Sequence, residues 1–62
     1  MQFHIENMTC GGCVRSVTKA IQSVDPAAEV SADPGTHNVQ VTSAAPRERL
    51  AAVLTDVGYA PG

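Results

Sequence analysis

Aromatic side chains are almost missing from this 62-residue chain, which has no tryptophan and only Phe3 and Tyr59 as aromatic rings. A core without them has to be compact and aliphatic, which suits an apolar content of 44% carried mainly by alanine and valine. Positive charge is scarce too. Four basic residues against six acidic ones leave a formal charge of −2, so the electrostatic footprint of a nucleic-acid binder is absent. No apolar run comes near the roughly 20 residues that cross a bilayer, and Met1-Gln2-Phe3-His4 lacks the basic-then-apolar order of a signal peptide. No membrane insertion is expected, and the expected compartment is the cytoplasm. Length leaves no room for a second core: residues 1–62 are expected to form one domain, with a net stability of about 3–9 kcal/mol on the usual per-residue scale.

There are only two cysteines, Cys10 and Cys13. A disulfide between them would close so short a loop that it would constrain the unfolded chain little, so the pair reads as a site and not as a staple.

The chain between these features carries clear periodicities. In Gln2-Phe3-His4-Ile5-Glu6 polar and apolar residues alternate, which predicts a first strand over Gln2–Glu6 with Phe3 and Ile5 buried. From Cys13 the apolar positions Val14, Val17, Ile21 and Val24 recur every three or four residues, which predicts an amphipathic helix stopped near Val24 by Pro26. Ala28, Val30 and Ala32, and then Val39 and Val41, alternate with polar residues as two half-buried strands joined by a turn at Pro34-Gly35, with Gly35 supplying the conformational freedom. Ser43 or Ala45 then precedes a second helix with Pro46 in its first turn, an apolar stripe of Leu50, Val53, Leu54 and Val57, and Gly58 as C-terminal cap. Strand, helix, strand, strand, helix is the ferredoxin-like split order. Helices with one apolar stripe each must share one face of the sheet, giving a two-layer α+β sandwich.

Met8-Thr9-Cys10-Gly11-Gly12-Cys13 falls where the first strand gives way to the first helix. Free amides and the positive dipole end of a helix start favour the thiolate, the form that binds metal. Gly11 and Gly12 are expected to let the loop fold tightly and bring two sulfurs to one ion. Soft thiolates favour Cu(I) or Zn(II), but closed zinc sites take four ligands and only two are obvious here. Cu(I) accepts low coordination. A metal held by two surface thiolates also stays open to a partner's sulfurs, which permits delivery.

The stretch from Met8 to Cys13, the helix after it and Val57-Gly58-Tyr59 resemble the heavy-metal-associated (HMA) domain family, which includes copper chaperones and the amino-terminal domains of copper-transporting ATPases. The resemblance covers nearly the whole chain. It implies a βαββαβ fold in which Cys10 and Cys13 bind the ion, Met8 packs inward without ligating, and Tyr59 lies beside the loop and limits solvent access and ligand exchange. Methionine-threonine before the first cysteine, Met8-Thr9 here, leans to copper. Mercury, zinc and cadmium are carried by other members. The implied partner is a copper-transporting P-type ATPase or its amino-terminal metal-binding domain, and two exposed loops could share copper across a homodimer.

The chain departs from the family at its end, where only Ala60-Pro61-Gly62 follows Tyr59, so the fourth strand is expected to be rudimentary or missing. The Gln2–Glu6 backbone would then be a bare edge, open to pairing with another chain.

These residues predict a cytoplasmic copper chaperone and no enzyme, since no nucleophile-base pair or clustered carboxylates are present. Two alternatives stand beside it: a metal-binding regulatory domain of a copper-transporting P-type ATPase, against which a Met1 directly before the first strand weighs mildly, and a thiol oxidoreductase. His4 and His37 read as surface residues, His4 with a small chance of recruiting a second ion. Arg15 and Lys19, four apart on the exposed side of the first helix, read as a solvated face that would steer a partner if one docks there.

Overall fold

A computed structural model describes residues 1–62. Three strands, β1 (Gln2–His4), β2 (Glu29–Asp33) and β3 (Asn38–Thr42), form an antiparallel sheet in the order β1-β3-β2, with helices α1 (Gly11–Val24) and α2 (Arg47–Asp56). This is the ferredoxin-like α+β arrangement. Phe3 pairs with Val39 and Val30 with Val41, so the alternating apolar residues of all three strands meet on one face. Phe3, Ile5, Val39 and Val41 from the sheet side join Val17, Ala20 and Ile21 of α1, Leu50 and Leu54 of α2, and Met8 and Ala28 in a single apolar core with no buried polar residue.

Several boundaries differ from the sequence reading. The first strand is shorter than Gln2–Glu6. Ile5 still donates its N–H to the His37 carbonyl at 2.8 Å, but the chain then turns, and Met8 N–H closes back on the Ile5 carbonyl at 3.2 Å. Helix α1 starts at Gly11 and not at Cys13, with Cys10 as its extended N-cap residue and Val14 N–H bonding the Cys10 carbonyl at 3.1 Å. The glycine pair is therefore the first turn of a helix, where unpaired amides are normal.

Ser43 and Ala45 precede α2 as expected, but Pro46 lies just before its first turn and Ser43 makes no capping bond to it. Pro46 is the N-cap residue, and its carbonyl accepts from Arg49 and Leu50. Ser43 Oγ instead donates to Asp25 Oδ2 at 2.6 Å, tying this approach to the end of α1. Val57 lies at the C-cap of α2 and is 46% exposed, so the apolar stripe ends at Leu54.

In the hairpin the left-handed residue is His37 (φ 62°) and not Gly35. Asp33 Oδ1 accepts the Gly35 N–H at 2.9 Å and sets the turn from its first residue, which leaves the positive φ to the last. At the end of α2, Gly58 does take φ 90°: its N–H bonds the Thr55 carbonyl, and Tyr59 N–H bonds the Leu54 carbonyl at 2.8 Å. This pair of bonds is a Schellman cap, for which a left-handed glycine is the natural residue.

No fourth strand forms, but the β1 edge is not bare as expected. The His4 carbonyl accepts the Gly62 N–H at 2.6 Å, and the Gln2 carbonyl accepts Arg47 Nη1 at 2.6 Å. The same guanidinium lies over the Phe3 ring, 4.3 Å from its centroid. One tail amide and one side chain thus occupy the two outward carbonyls that a neighbouring strand would use.

Candidate metal centre

Met8, Thr9, Cys10, Gly11, Gly12 and Cys13 run from the turn after β1 into the first turn of α1. Met8 is fully buried in the core and fixes the root of the loop, while Cys10 is exposed and Cys13 half-exposed at the end of the molecule. Their sulfurs stand 3.0 Å apart in hydrogen-bonding contact as free thiols. A helix start puts residues three apart on one side, which is how two cysteines with two residues between them come to face each other.

The electrostatics favour one thiolate. The Cys13 thiol is held down to about 6, first by the hydrogen bond from Cys10, then by the Tyr59 hydroxyl and by backbone at Thr9 and Cys10. The same contact pushes the Tyr59 phenol up, first through its hydrogen bond to Cys13, then through burial and the charge of the two sulfurs. The shared proton leaves one negative charge beside the unpaired amides of the first turn of α1, where the helix dipole favours an anion. No three His, Cys, Asp or Glu side chains gather in one place, so the two sulfurs have no third side-chain donor of these types beside them.

The glycines do not tighten the loop in the way the sequence suggests. Neither Gly11 nor Gly12 has a positive φ; a Cβ at Gly11 would meet nothing within 4 Å, and one at Gly12 only Cys10 Sγ at 3.9 Å. They leave open space around the sulfurs.

Two struts brace the loop, and neither was legible in the sequence. Asn7 Nδ2 donates to the Gly58 carbonyl at 2.7 Å, across to the turn that carries Tyr59. His37 Nδ1 bonds the Met8 carbonyl at 3.1 Å from the hairpin side, so this histidine is a half-buried brace and not a free surface residue. His4 has its pKa raised by Glu6, 2.7 Å from its Nε2, and by Asn38. Arg15 and Lys19 are exposed on α1. Tyr59 and Lys19 also line an open groove of about 520 Å³ between the helices.

A sequence profile of the heavy-metal-associated domain matches residues 2–60. The chain belongs to the heavy-metal-associated domain family. Among solved structures, the domain is similar to a gold-binding protein at 46% identity and TM-score 0.95, covering 98% of this chain and 94% of the other. It is similar to a trimeric form of a histidine-to-tyrosine variant of the copper chaperone Atx1 from Synechocystis, at 32% identity and TM-score 0.97 over 100% of this chain and 98% of that one. A cyanobacterial copper metallochaperone matches at 31% identity and TM-score 0.81, over 100% and 97% of the two chains. A search of curated proteins finds no match. The family and these neighbours support a metal-binding chaperone, and the fold of this HMA domain is theirs. No helix is long and apolar enough to cross a membrane.

Proposed function

We propose that residues 1–62 act as one cytoplasmic copper-chaperone domain that binds Cu(I) through Cys10 and Cys13 and passes it to a partner by thiolate exchange. The observation that carries this reading is the pair of sulfurs 3.0 Å apart at the exposed start of α1, one of them readily ionised, with no third His, Cys, Asp or Glu side chain gathered beside them. Two thiolates satisfy a soft ion of low coordination, whereas a closed zinc site would need about two more ligands. The open side is where an incoming thiolate from a copper-transporting P-type ATPase, or its amino-terminal metal-binding domain, would attack before a Cys10 or Cys13 bond breaks. The ion is then shared at each stage and never released. In this scheme Tyr59 covers the sulfurs on the α2 side and limits access, Met8 and Thr9 hold the loop, and the domain catalyses no reaction. An exposed dithiol keeps its thiols only in a reducing compartment, which favours the cytoplasm. Two such loops face to face could bridge copper in a homodimer.

A second reading has Au(I) as cargo, favoured by the gold-binding protein at 46% identity. Gold(I) is softer still and suits the same two-sulfur site. Anaerobic titration of the reduced protein with Cu(I) against a competing chelator, with Au(I) and Zn(II) in parallel and Cys10→Ser and Cys13→Ser as controls, decides between these. Tight Cu(I) binding that needs both cysteines and far exceeds Zn(II) establishes the copper reading. A marked preference for Au(I) moves the cargo to gold. Binding indifferent to the cysteines sinks both and brings a thiol oxidoreductase forward.

A further inference from the structure

We infer that Asn7 is a positioning residue: its side chain latches the Gly58–Tyr59 peptide to the root of the metal loop and thereby fixes where the Tyr59 ring stands. The peptide plane that leads into Tyr59 is pinned at both ends. Its N–H, from Tyr59, bonds the Leu54 carbonyl at 2.8 Å, and its C=O, from Gly58, accepts Asn7 Nδ2 at 2.7 Å. A planar peptide held on both sides cannot swing, so the Tyr59 Cα, from which the ring projects, is held in place. Without Asn7 only the Schellman bond from Tyr59 holds this plane, just after Gly58, which sits at φ 90° with open space where a Cβ would be.

Asn7 is well placed to hold this position although it is itself exposed. Ile5 and Met8, on either side of it, are both fully buried, so its backbone is anchored in the core three residues before Cys10. A carbonyl acceptor requires a donor, which the amide of asparagine supplies and the carboxylate of aspartate does not. The bond is also the only side-chain hydrogen bond that joins the turn after β1 to the turn after α2. It transmits the loop's position to Tyr59, which in turn stands beside Cys13.

This inference deepens the proposed function, resting on Tyr59 as the cover of the sulfurs, but its first test needs no metal. Tyr59 is the only tyrosine and there is no tryptophan, so intrinsic fluorescence reports this ring alone. In the reduced apoprotein, Asn7→Ala and Asn7→Asp are expected to raise acrylamide quenching of Tyr59 and lower its anisotropy. Ile21→Val, which destabilises the core by a similar amount, is expected to do neither. Unchanged quenching in both Asn7 variants, or an equal change in Ile21→Val, overturns the inference.

The second arm measures Cu(I) transfer to an excess of a small chelator. Losing a hydrogen bond of ordinary strength should speed transfer about two- to tenfold in Asn7→Ala, and the increase should vanish when Tyr59→Ala is already present. An equal acceleration in the Tyr59→Ala background overturns the latch. If Tyr59→Ala alone leaves the rate unchanged, the gate in the proposed function fails, and the fluorescence result still decides whether Asn7 holds the ring.

Discussion

The sulfurs of Cys10 and Cys13 lie 3.0 Å apart, which is wider than a disulfide and narrower than a shared metal ion would hold them. A disulfide needs about 2.05 Å, and a tetrahedral ion with bonds of about 2.3 Å separates its sulfurs by about 3.8 Å. Metal entry therefore requires the pair to open. Cys10, as the exposed N-cap residue with no side-chain capping bond, is the one free to move. Cys13 is held inside the first turn of α1 and against Tyr59.

The depressed Cys13 thiol makes the stability of the apoprotein depend on pH in a definite direction. A thiol whose pKa falls from 9.0 in the unfolded chain to about 6 in the folded one stabilises fully above pH 9, and that contribution is lost as the pH falls through about 6. The His4–Glu6 pair works differently. His4 is raised, so its contribution is complete below 6.5 and disappears as the pH climbs through its folded value, while that of the lowered Glu6 fails on acidification below 4.5. Denaturation midpoints of the reduced protein minus those of Cys13→Ser, taken across this range, cancel the histidine. The difference is expected to rise from pH 6 to 9; a flat difference would remove the thiolate from the site.

Met8 can be told apart from a ligand by shape. Fully buried and packed among Phe3, Ile5 and the helices, it fills core volume beside the loop. Met8→Leu conserves that volume and should cost less than about 1.5 kcal/mol, with Cu(I) affinity unchanged, whereas Met8→Ala should cost about 2–5 kcal/mol. Loss of metal affinity in the leucine variant at intact stability would make the thioether a ligand.

What the sequence disclosed and what it hid divide along physical lines. Apolar spacing found all five elements, because a stripe on a helix or strand is a local property of adjacent residues. The loop was visible because two cysteines so close together have few structural uses. Boundaries set by single hydrogen bonds were missed, such as the start of α1 at Gly11, since glycines suggest a loop until the amides around them are seen. The braces from Asn7 to Gly58 and from His37 to Met8 join residues 51 and 29 positions apart, and nothing local in either pair advertises a partner. Arg47 was hidden in the same way: only the folded chain puts an exposed helix arginine over Phe3 and onto the Gln2 carbonyl.

Arg47 predicts how the β1 edge behaves. Removing it in Arg47→Ala frees the Gln2 carbonyl and uncovers the Phe3 ring, so the edge regains what a second strand could pair with. The variant should lose about 1–2 kcal/mol, a cation–π contact plus an exposed hydrogen bond, and should associate at concentrations where the parent stays in its original state. Sedimentation over a concentration series reads the second effect. Unaltered association would mean that Gly62 on the His4 carbonyl suffices to blunt the edge.

Gly11 and Gly12 separate folding from exchange. Their backbones are helical and a methyl group fits at both, with open space at Gly11 and an ordinary 3.9 Å contact to Cys10 Sγ at Gly12. Alanine is the better helix former by about 0.5–1 kcal/mol in a helix interior, and somewhat less in a first turn, so Gly11→Ala should raise apoprotein stability by a few tenths of a kcal/mol or more. Folding alone would therefore not choose glycine here. A bare backbone does, however, leave room for a second protein to bring its own sulfurs up to the ion. Gly11→Ala is thus expected to bind Cu(I) as tightly as the parent and to give it up to a small chelator at the parent rate, yet to transfer it more slowly to a dithiol on a folded acceptor domain. Stopped-flow transfer to the two kinds of acceptor makes the comparison. Equal slowing for both would place the effect in the opening of the Cys10–Cys13 pair, and no slowing for either would mean that the space beside the sulfurs has no part in delivery.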